Sequence, residues 1–274
     1  MEYALSTYLF VNERLGAHIL DHVLSAGICQ FELFAARQHL EYRDPNHVRD
    51  LGLWFADHGI HLHSLHSPVF SEAEGGRAGS PPISIAYLEK RLRIASMDEI
   101  KRALEVAERL PFRYLILHMG LEGEEWDLNR VDAAFSSIEH LSIFAKDYGV
   151  QILLENIPNE LTAPDRLVQF INYTRMDGLQ ICFDIGHAHL APGVASAFHT
   201  LKGHLASVHL HDNDGSKDEH RLPYDGTVDW GAFVRDFRAT GAKAPLVFEL
   251  RNDSPEPFNL TRLRPVIEKL EAIG

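Results

Sequence analysis

Residues 180–189 read Gln-Ile-Cys-Phe-Asp-Ile-Gly-His-Ala-His, a short apolar run that ends in a carboxylate and two imidazoles. Residues 207–214 repeat this form as Ser-Val-His-Leu-His-Asp-Asn-Asp. Parallel strands that carry an active site look like this, because apolar side chains are buried along the strand and reactive groups appear where it meets the next loop. Three further runs have the same form, at residues 115–120, 152–156 and 246–250. Five such runs in one chain predict one shared site.

Strand-like and helix-like segments alternate along the whole chain. We predict strands at residues 3–11, 28–34, 60–68, 113–119, 150–157, 179–185, 206–210 and 244–250. We predict helices at residues 14–26, 45–58, 85–110, 128–148, 164–175, 194–202, 228–240 and 260–272. This alternation is typical of a parallel sheet, and eight such units in 274 residues match the size of a TIM barrel.

We therefore predict an α/β fold, a single (β/α)8 TIM-barrel domain over residues 1–274. An open doubly wound sheet fits less well, because no glycine-rich phosphate loop follows the first predicted strand. The clearest interruption is residues 71–82, which contain three glycines and two prolines. A loop of this length in a compact domain is usually functional or disordered.

The composition argues against two classes of protein. A net charge of −13 is unsuited to a protein that grips nucleic-acid backbones with clustered lysines and arginines. It leaves room for a small anionic substrate held by one or two arginines. No apolar run has the length of a membrane span, and the N-terminus has no basic region. Cys29 and Cys182 lie in apolar runs, where we expect buried, reduced thiols. We expect a cytoplasmic protein without a nucleic-acid or membrane partner, and we leave a homo-oligomer open.

Four residues end four consecutive predicted strands: Glu155, Asp184, His209 and Glu249. Because side chains alternate between the faces of a strand, all four reach one quarter of the barrel mouth if these faces point inward. Three carboxylates and an imidazole suit a divalent Mn, Mg, Co or Zn ion. Without a cation, three buried carboxylates are costly or become protonated. We predict one metal site here.

Five more residues surround these four, and we predict that they form a second metal position: His66, His118, His187, Asp218 and His220. The alternative for each is a hydrogen bond to a metal ligand, or a place on the surface. His66 has the opposite parity to His61 and His63, so we expect the strand to end or bulge before it.

Two further residues share a face with predicted ligands. His211 has the parity of His209, and Arg251 has the parity of Glu249. We predict both to bind substrate, with Arg251 meeting a phosphate or carboxylate group. A solvated loop arginine is the alternative for Arg251.

The order of these residues resembles that of the xylose-isomerase-like TIM-barrel superfamily, over essentially the whole chain: His66, His118, Glu155, Asp184-x-x-His187, His209-x-x-Asp, Asp218-x-His220 and Glu249. In the sugar-isomerising members, the resemblance implies one divalent metal at Glu155, Asp184, His209 and Glu249. The glutamates Glu155 and Glu249 are then the catalytic residues that shuttle a proton.

The same superfamily includes nucleases of the endonuclease IV type. In these, nine positions hold three zinc ions, and all nine have a matching residue in this chain. Two features differ from the nucleases: residues 184–193 lack the cysteine-containing form of that turn, and the chain is acidic. Residues 37–39 lie where the nucleases insert side chains into DNA.

The resemblance and the residues together favour a divalent-metal-dependent isomerase or epimerase of a small sugar or sugar-like hydroxy-ketone. In that reaction a carboxylate removes the proton between a carbonyl and a hydroxyl that a metal chelates, and the metal stabilises the enediolate. The first alternative is a multi-zinc phosphoester hydrolase that uses the five surrounding residues as extra ligands. The second alternative is an inactive metal-binding scaffold.

Overall fold

Eight parallel strands close into a barrel in chain order, with β8 paired to β1. This is the arrangement in the computed structural model, which describes residues 1–71, 81–176, 178–254 and 256–274. The strands are β1 (Tyr3–Ser6), β2 (Phe31–Phe34), β3 (Leu62–His66), β4 (Phe112–His118), β5 (Gln151–Glu155), β6 (Gln180–Asp184), β7 (Leu205–Leu210) and β8 (Leu246–Phe248). The predicted (β/α)8 TIM barrel is confirmed.

Helices follow the strands and cover the outside of the barrel. They are α1 (Ala17–Ser25), α2 (Pro45–His58), α3 (Lys90–Leu104), α4 (Leu128–Lys146), α5 (Pro164–Thr174), α6 (Ile185–Leu190), α7 (Val194–Leu201), α8 (Trp230–Thr240) and α9 (Leu263–Glu271). Local sequence explains their ends. The side chain of Asp44 caps α2 ahead of a first-turn proline, and Gly59 ends it at φ 63°.

The strands separate two apolar regions. Side chains on their outer faces pack with the helices into one large core. Inside the barrel, a small cluster fills the closed interior, and its members are Tyr114, Ile116, Leu153, Cys182 and Ala206. A barrel of eight strands has just enough interior for packed side chains. The polar groups of the site therefore lie above a filled barrel, at its carboxyl end.

Several element boundaries differ from the sequence prediction. The first strand ends at Ser6, because Thr7–Phe10 turn into a 3₁₀ helix capped by the Ser6 side chain. The predicted helix over residues 85–110 begins only at Lys90 and ends in a 3₁₀ turn. The short helix α6 was not predicted. Its six residues are too few to show an amphipathic repeat.

The prediction that both cysteines are buried is confirmed for Cys182 and wrong for Cys29. Cys182 is buried inside the barrel, but Cys29 is exposed, because β2 begins only at Phe31. The loop predicted at 71–82 lies, for residues 72–80, outside the described residues. At its two ends, Phe70 and Pro82 form an antiparallel bridge. Among the described helices, none is long and apolar enough to cross a membrane.

One buried imidazole connects the first two loops above the barrel. His39 is fully buried, and its Nδ1–H donates to the carbonyl oxygen of Glu13 at 2.6 Å. Burial lowers the pKa of His39 from 6.5 to about 4, assisted by the charges of His47 and Arg14 and opposed by this hydrogen bond. His39 is therefore neutral in the folded protein at neutral pH.

We predict that His39 makes the protein sensitive to acid. Between about pH 6.5 and 4 the unfolded chain protonates this imidazole and the folded chain does not, so stability falls as the pH falls. From pH 7.5 to 4.5, urea unfolding should show wild type losing about 2–3 kcal/mol more than His39→Gln, at 1.36 kcal/mol per pKa unit. Equal losses for the two proteins would contradict this assignment.

Candidate metal centre

Three carboxylates surround one nitrogen of His209 at the mouth of the barrel. His209 Nδ1 lies 3.1 Å from Glu155 Oε1, 3.2 Å from Glu249 Oε2 and 3.7 Å from Asp184 Oδ2. All four side chains are buried, and their ligand atoms lie within 4.8 Å of one another. We call these four residues the inner group. They are the four that the sequence predicted to hold a metal.

Strand register explains this convergence. Asp184 pairs with His209 across β6 and β7, and each is at or near the end of its strand. Glu155 is the last residue of β5, and Glu249 directly follows β8. Because neighbouring parallel strands end at one level, side chains of equal parity meet above the apolar filling.

A second group uses the other oxygen of Glu155. Its Oε2 lies 3.3 Å from His66 Nε2 and 3.1 Å from His118 Nε2. His118 pairs directly with Glu155 across β4 and β5. The expected break before His66 is wrong, since β3 continues in register through His66, which pairs with Phe34 and Ile116. Glu155 therefore belongs to both groups.

A third group lies on the other side of the mouth and contains His187, His211, Asp218 and His220. Asp218 Oδ2 lies 2.9 Å from His220 Nε2 and 3.5 Å from His187 Nε2. His211, predicted to bind substrate, is fully buried, and its ring stacks on that of His220 at 3.9 Å. Its Nε2 is 3.0 Å from Asp184. The structure thus places His211 with the candidate ligands, beneath the cavity.

Helix α6 positions His187 in this group. Asp184 caps the helix by accepting a hydrogen bond from the His187 backbone N–H at 2.6 Å. A side chain at Gly186 would place its Cβ 2.0 Å from the His211 ring, so only glycine fits there. The Asp-x-x-His spacing therefore brings one ligand from the strand end and a second from the first turn of the helix.

The imidazoles are oriented so that one nitrogen is free to bind a cation. In three of them Nδ1–H donates to a backbone carbonyl, so that Nε2 faces a carboxylate: His66 to Ser67, His187 to Asn156 and His220 to Glu249. Such bonds fix the tautomer of a metal-binding histidine. In addition, His211 Nδ1 and Asp218 Oδ1 are buried without a hydrogen-bond partner among the described residues. The donor set fits divalent cations.

The electrostatics of these groups lead to the same conclusion. Burial would raise the pKa of Glu249, but the imidazoles of His209 and His220 lower it to about 2. Burial would lower the pKa of His187, but Asp184 and Asp218 raise it to about 10. The carboxylates therefore require compensating positive charge, which imidazolium protons or divalent cations supply.

A cavity of about 800 Å³ opens above the three groups. Its floor includes Glu155 and Glu249, and Tyr8, Asn12 and Gln38 are among the polar residues of its wall. Arg37 also lines it, with its guanidinium held by Glu41 through bonds of 3.1 and 3.2 Å.

Arg251 was predicted to bind substrate. Its Nε donates to Asp253 at 3.0 Å, and its Nη2 to the carbonyl oxygen of Asp218 at 3.4 Å. These contacts place Arg251 beside the backbone segment that carries Asp218. Its role in substrate binding stays a prediction.

Asp212 organises the loop after β7; in the sequence it was quoted only as the last residue of His209-x-x-Asp, without a role of its own. Asp212 is fully buried, and its carboxylate accepts four hydrogen bonds of 2.8–3.1 Å. The donors are the backbone N–H groups of Asn213, Tyr224 and Val228 and the indole N–H of Trp230. This loop carries Asp218 and His220 into the third group. Its structural role is hard to read from the sequence, since Asp212 lies within a longer polar run that begins His211-Asp-Asn-Asp.

Glu32 on β2 is the second residue without a predicted role. It is fully buried, and its Oε2 lies 3.2 Å from Nε2 of His209. A lone glutamate in an apolar run gives no sign of its partner, which comes from a strand on the far side of the barrel.

Comparison with known proteins places these residues in a family context. The model of a family described as xylose isomerase-like TIM barrel matches residues 20–272. An uncharacterized protein of Sinorhizobium fredii is 29% identical over 217 residues, which cover 72% of this chain and 69% of that protein. A probable endonuclease 4 of Haloquadratum walsbyi is 24% identical over 251 residues, covering 83% of this chain and 81% of that protein.

The barrel itself is similar to solved structures. One is a D-tagatose 3-epimerase-like protein, which superposes with a TM-score of 0.80 at 22% identity and covers 100% of this chain and 98% of that chain. At this identity the similarity concerns the fold.

We predict that Asp212→Asn weakens metal binding at the third group. The amide nitrogen cannot accept hydrogen bonds, so two buried N–H groups lose their partner at about 1–3 kcal/mol each. Asp218 and His220 are then held less firmly. Competition with a chelator should show that the affinity for the more weakly bound metal ion falls by about 10-fold or more. The control Asp214→Asn changes an exposed carboxylate of the same loop. Equal affinities for both variants and wild type would contradict the role of Asp212.

Proposed function

Because the chain belongs to the xylose isomerase-like TIM barrel family, we propose that it is a metal-dependent isomerase or epimerase of a small sugar or sugar-like hydroxy-ketone. One observation carries this proposal. Glu155 and Glu249 lie 3.1 and 3.2 Å from the same nitrogen of His209, on the floor of the cavity. Two carboxylates are thus available at one point of the cavity floor, one to remove a proton and one to return it.

The inner group would hold a divalent cation, which polarises a carbonyl and its adjacent hydroxyl and offsets the negative charge that develops there. The residues of the chain move the proton. One of Glu155 and Glu249 takes it from the hydroxyl-bearing carbon next to the carbonyl, and the other returns a proton either to the former carbonyl carbon or to the opposite face of the same carbon. The first outcome is isomerisation and the second is epimerisation.

Apolar side chains form much of the cavity wall. Phe34 and Ile157 line it beside the metal groups, and Phe70 and Pro82 line it further out. Phe34 stacks on the ring of His66 at 4.7 Å, which fixes that wall against the site. A largely apolar lining limits side reactions of a carbanion-like species and strengthens the electrostatic contacts beside it.

A hydrolase of phosphoesters is the second candidate, and the sharing of Glu155 between two groups favours it. Three adjacent groups of ligands, two of which share the carboxylate of Glu155, suit a multinuclear centre. Their four carboxylates balance two divalent cations, so a third would give the net positive charge that attracts a phosphate. The similarity to a probable endonuclease 4 supports this candidate. The net charge of −13 opposes it for a long nucleic acid.

We predict that the metal-loaded protein exchanges a carbon-bound hydrogen of a small keto-sugar with solvent deuterium. Glu155→Gln and Glu249→Gln should each reduce this exchange by about 10²- to 10⁴-fold, the usual contribution of a general base. NMR or mass spectrometry of a panel of keto-sugars in D₂O measures the exchange. Glu139→Gln, which changes an exposed glutamate on α4, is the control and should exchange like wild type.

Two results would contradict this reaction. Cleavage of DNA with an abasic site, without exchange into any keto-sugar, would assign the centre to the second candidate. Absence of both activities in a protein that holds its metals would favour the inactive scaffold.

A further inference from the structure

The two ring nitrogens of His209 face different carboxylates. Nδ1 points into the inner group, toward Glu155, Asp184 and Glu249. Nε2 points away from it and lies 3.2 Å from Oε2 of Glu32. Glu32 lies outside all three groups of candidate ligands. Its carboxylate therefore contacts His209 on the side of the ring that faces away from the inner group.

Glu32 reaches His209 through the interior of the barrel. It lies on β2, whereas His209 lies on β7, and β8 and β1 stand between these strands. Glu32 pairs with Ser6 on one side and with Ser64 on the other. The Ser64 hydroxyl donates to Glu32 Oε2 at 2.7 Å. The carboxylate of Glu32 thus contacts a serine hydroxyl and the imidazole of a candidate metal ligand.

Burying a carboxylate costs free energy unless hydrogen bonds or an opposite charge compensate for the lost water. Glu32 has no exposed surface, and within the described part of the chain its one ion-pair partner is His209. An ionised carboxylate accepts hydrogen bonds and donates none. Facing it, Nε2 of His209 must carry the ring proton, and Nδ1 is left with the lone pair that a metal requires.

His209 also differs from the other candidate ligands. In His66, His187 and His220, the hydrogen-bond partner of Nδ1 is a backbone carbonyl. In His209, the hydrogen-bond partner of the outer nitrogen, Nε2, is the carboxylate of Glu32. A carboxylate in that place orients the ring and also raises the basicity of the coordinating nitrogen.

We infer that Glu32 is a positioning residue of the metal centre. It holds His209 in the Nε2–H tautomer and turns Nδ1 toward the inner group, so that a divalent cation binds there more tightly. This inference rests on the metal site of the proposed function and is independent of the reaction, because it applies equally to an isomerase and to a hydrolase.

The test compares the metal affinity of four proteins by competition with a chelator, using Zn²⁺ and then Mn²⁺. Glu32→Ala should bind the tightest ion about 10- to 100-fold more weakly than wild type. Glu32→Gln keeps the shape and one acceptor oxygen without the charge, so its affinity should lie between the two. The fourth protein, Glu99→Gln, removes another buried carboxylate, which binds Tyr42 and Arg102 far from the site. It should lose stability and keep wild-type affinity.

A second readout separates positioning from a structural role. In Zn²⁺-loaded protein labelled with ¹⁵N-histidine, the buried Nε2–H of His209 should give a slowly exchanging ring proton, which is assigned by its loss in His209→Gln. This signal should persist in Glu99→Gln and disappear in Glu32→Ala.

Three results would overturn the inference. The first is unchanged metal affinity in both Glu32 variants, and the second is an Nε2–H signal that persists without Glu32. The third is a wild-type protein that binds neither cation. If Glu32→Ala does not fold, Glu32→Gln alone decides, because a purely structural role predicts lower stability at unchanged affinity.

Discussion

The convergence of three buried carboxylates on one imidazole nitrogen is the constraint on which the mouth of this barrel depends. Glu155, Asp184 and Glu249 have almost no contact with water, and like charges so close together cannot persist without compensation. The compensation comes from imidazoles, and His209 contacts all three carboxylates. A cation at the same position satisfies all four side chains together. The fold therefore holds these four side chains in the arrangement of a cation-binding site.

The barrel supplies this constraint through register and the loops complete it. Strands that end at one level bring residues far apart in the chain to the same point, as the pairing of Asp184 with His209 shows. The outer ligands are positioned by local structure in the loops. Helix α6 directs His187 inward, and the carboxylate of Asp212 holds the loop that bears Asp218. Rigid strands thus carry the inner group, and capped or hydrogen-bonded loops carry the rest.

The sequence predicted the barrel and the inner group because both follow from local periodicity. Glu155 and Asp184 end apolar runs, and their inward direction follows from strand alternation. Contacts across the barrel produce no local pattern in the sequence. Glu32 meets His209 through the interior, and nothing in either run indicates the partner. His211 illustrates a second limit: parity placed it correctly on the inner face, but its burial beneath the cavity depends on the missing side chain of Gly186.

The position of bound metal tests this account most directly. Crystals grown with Zn²⁺ or Mn²⁺, measured at the absorption edge of that metal, give the ion's location independently of any activity. We expect an anomalous peak within about 2.0–2.6 Å of His209 Nδ1 and of an oxygen from each carboxylate of the inner group. Further peaks should lie at the second and third groups. An empty inner group beside well-occupied metal sites elsewhere on the barrel would contradict the account.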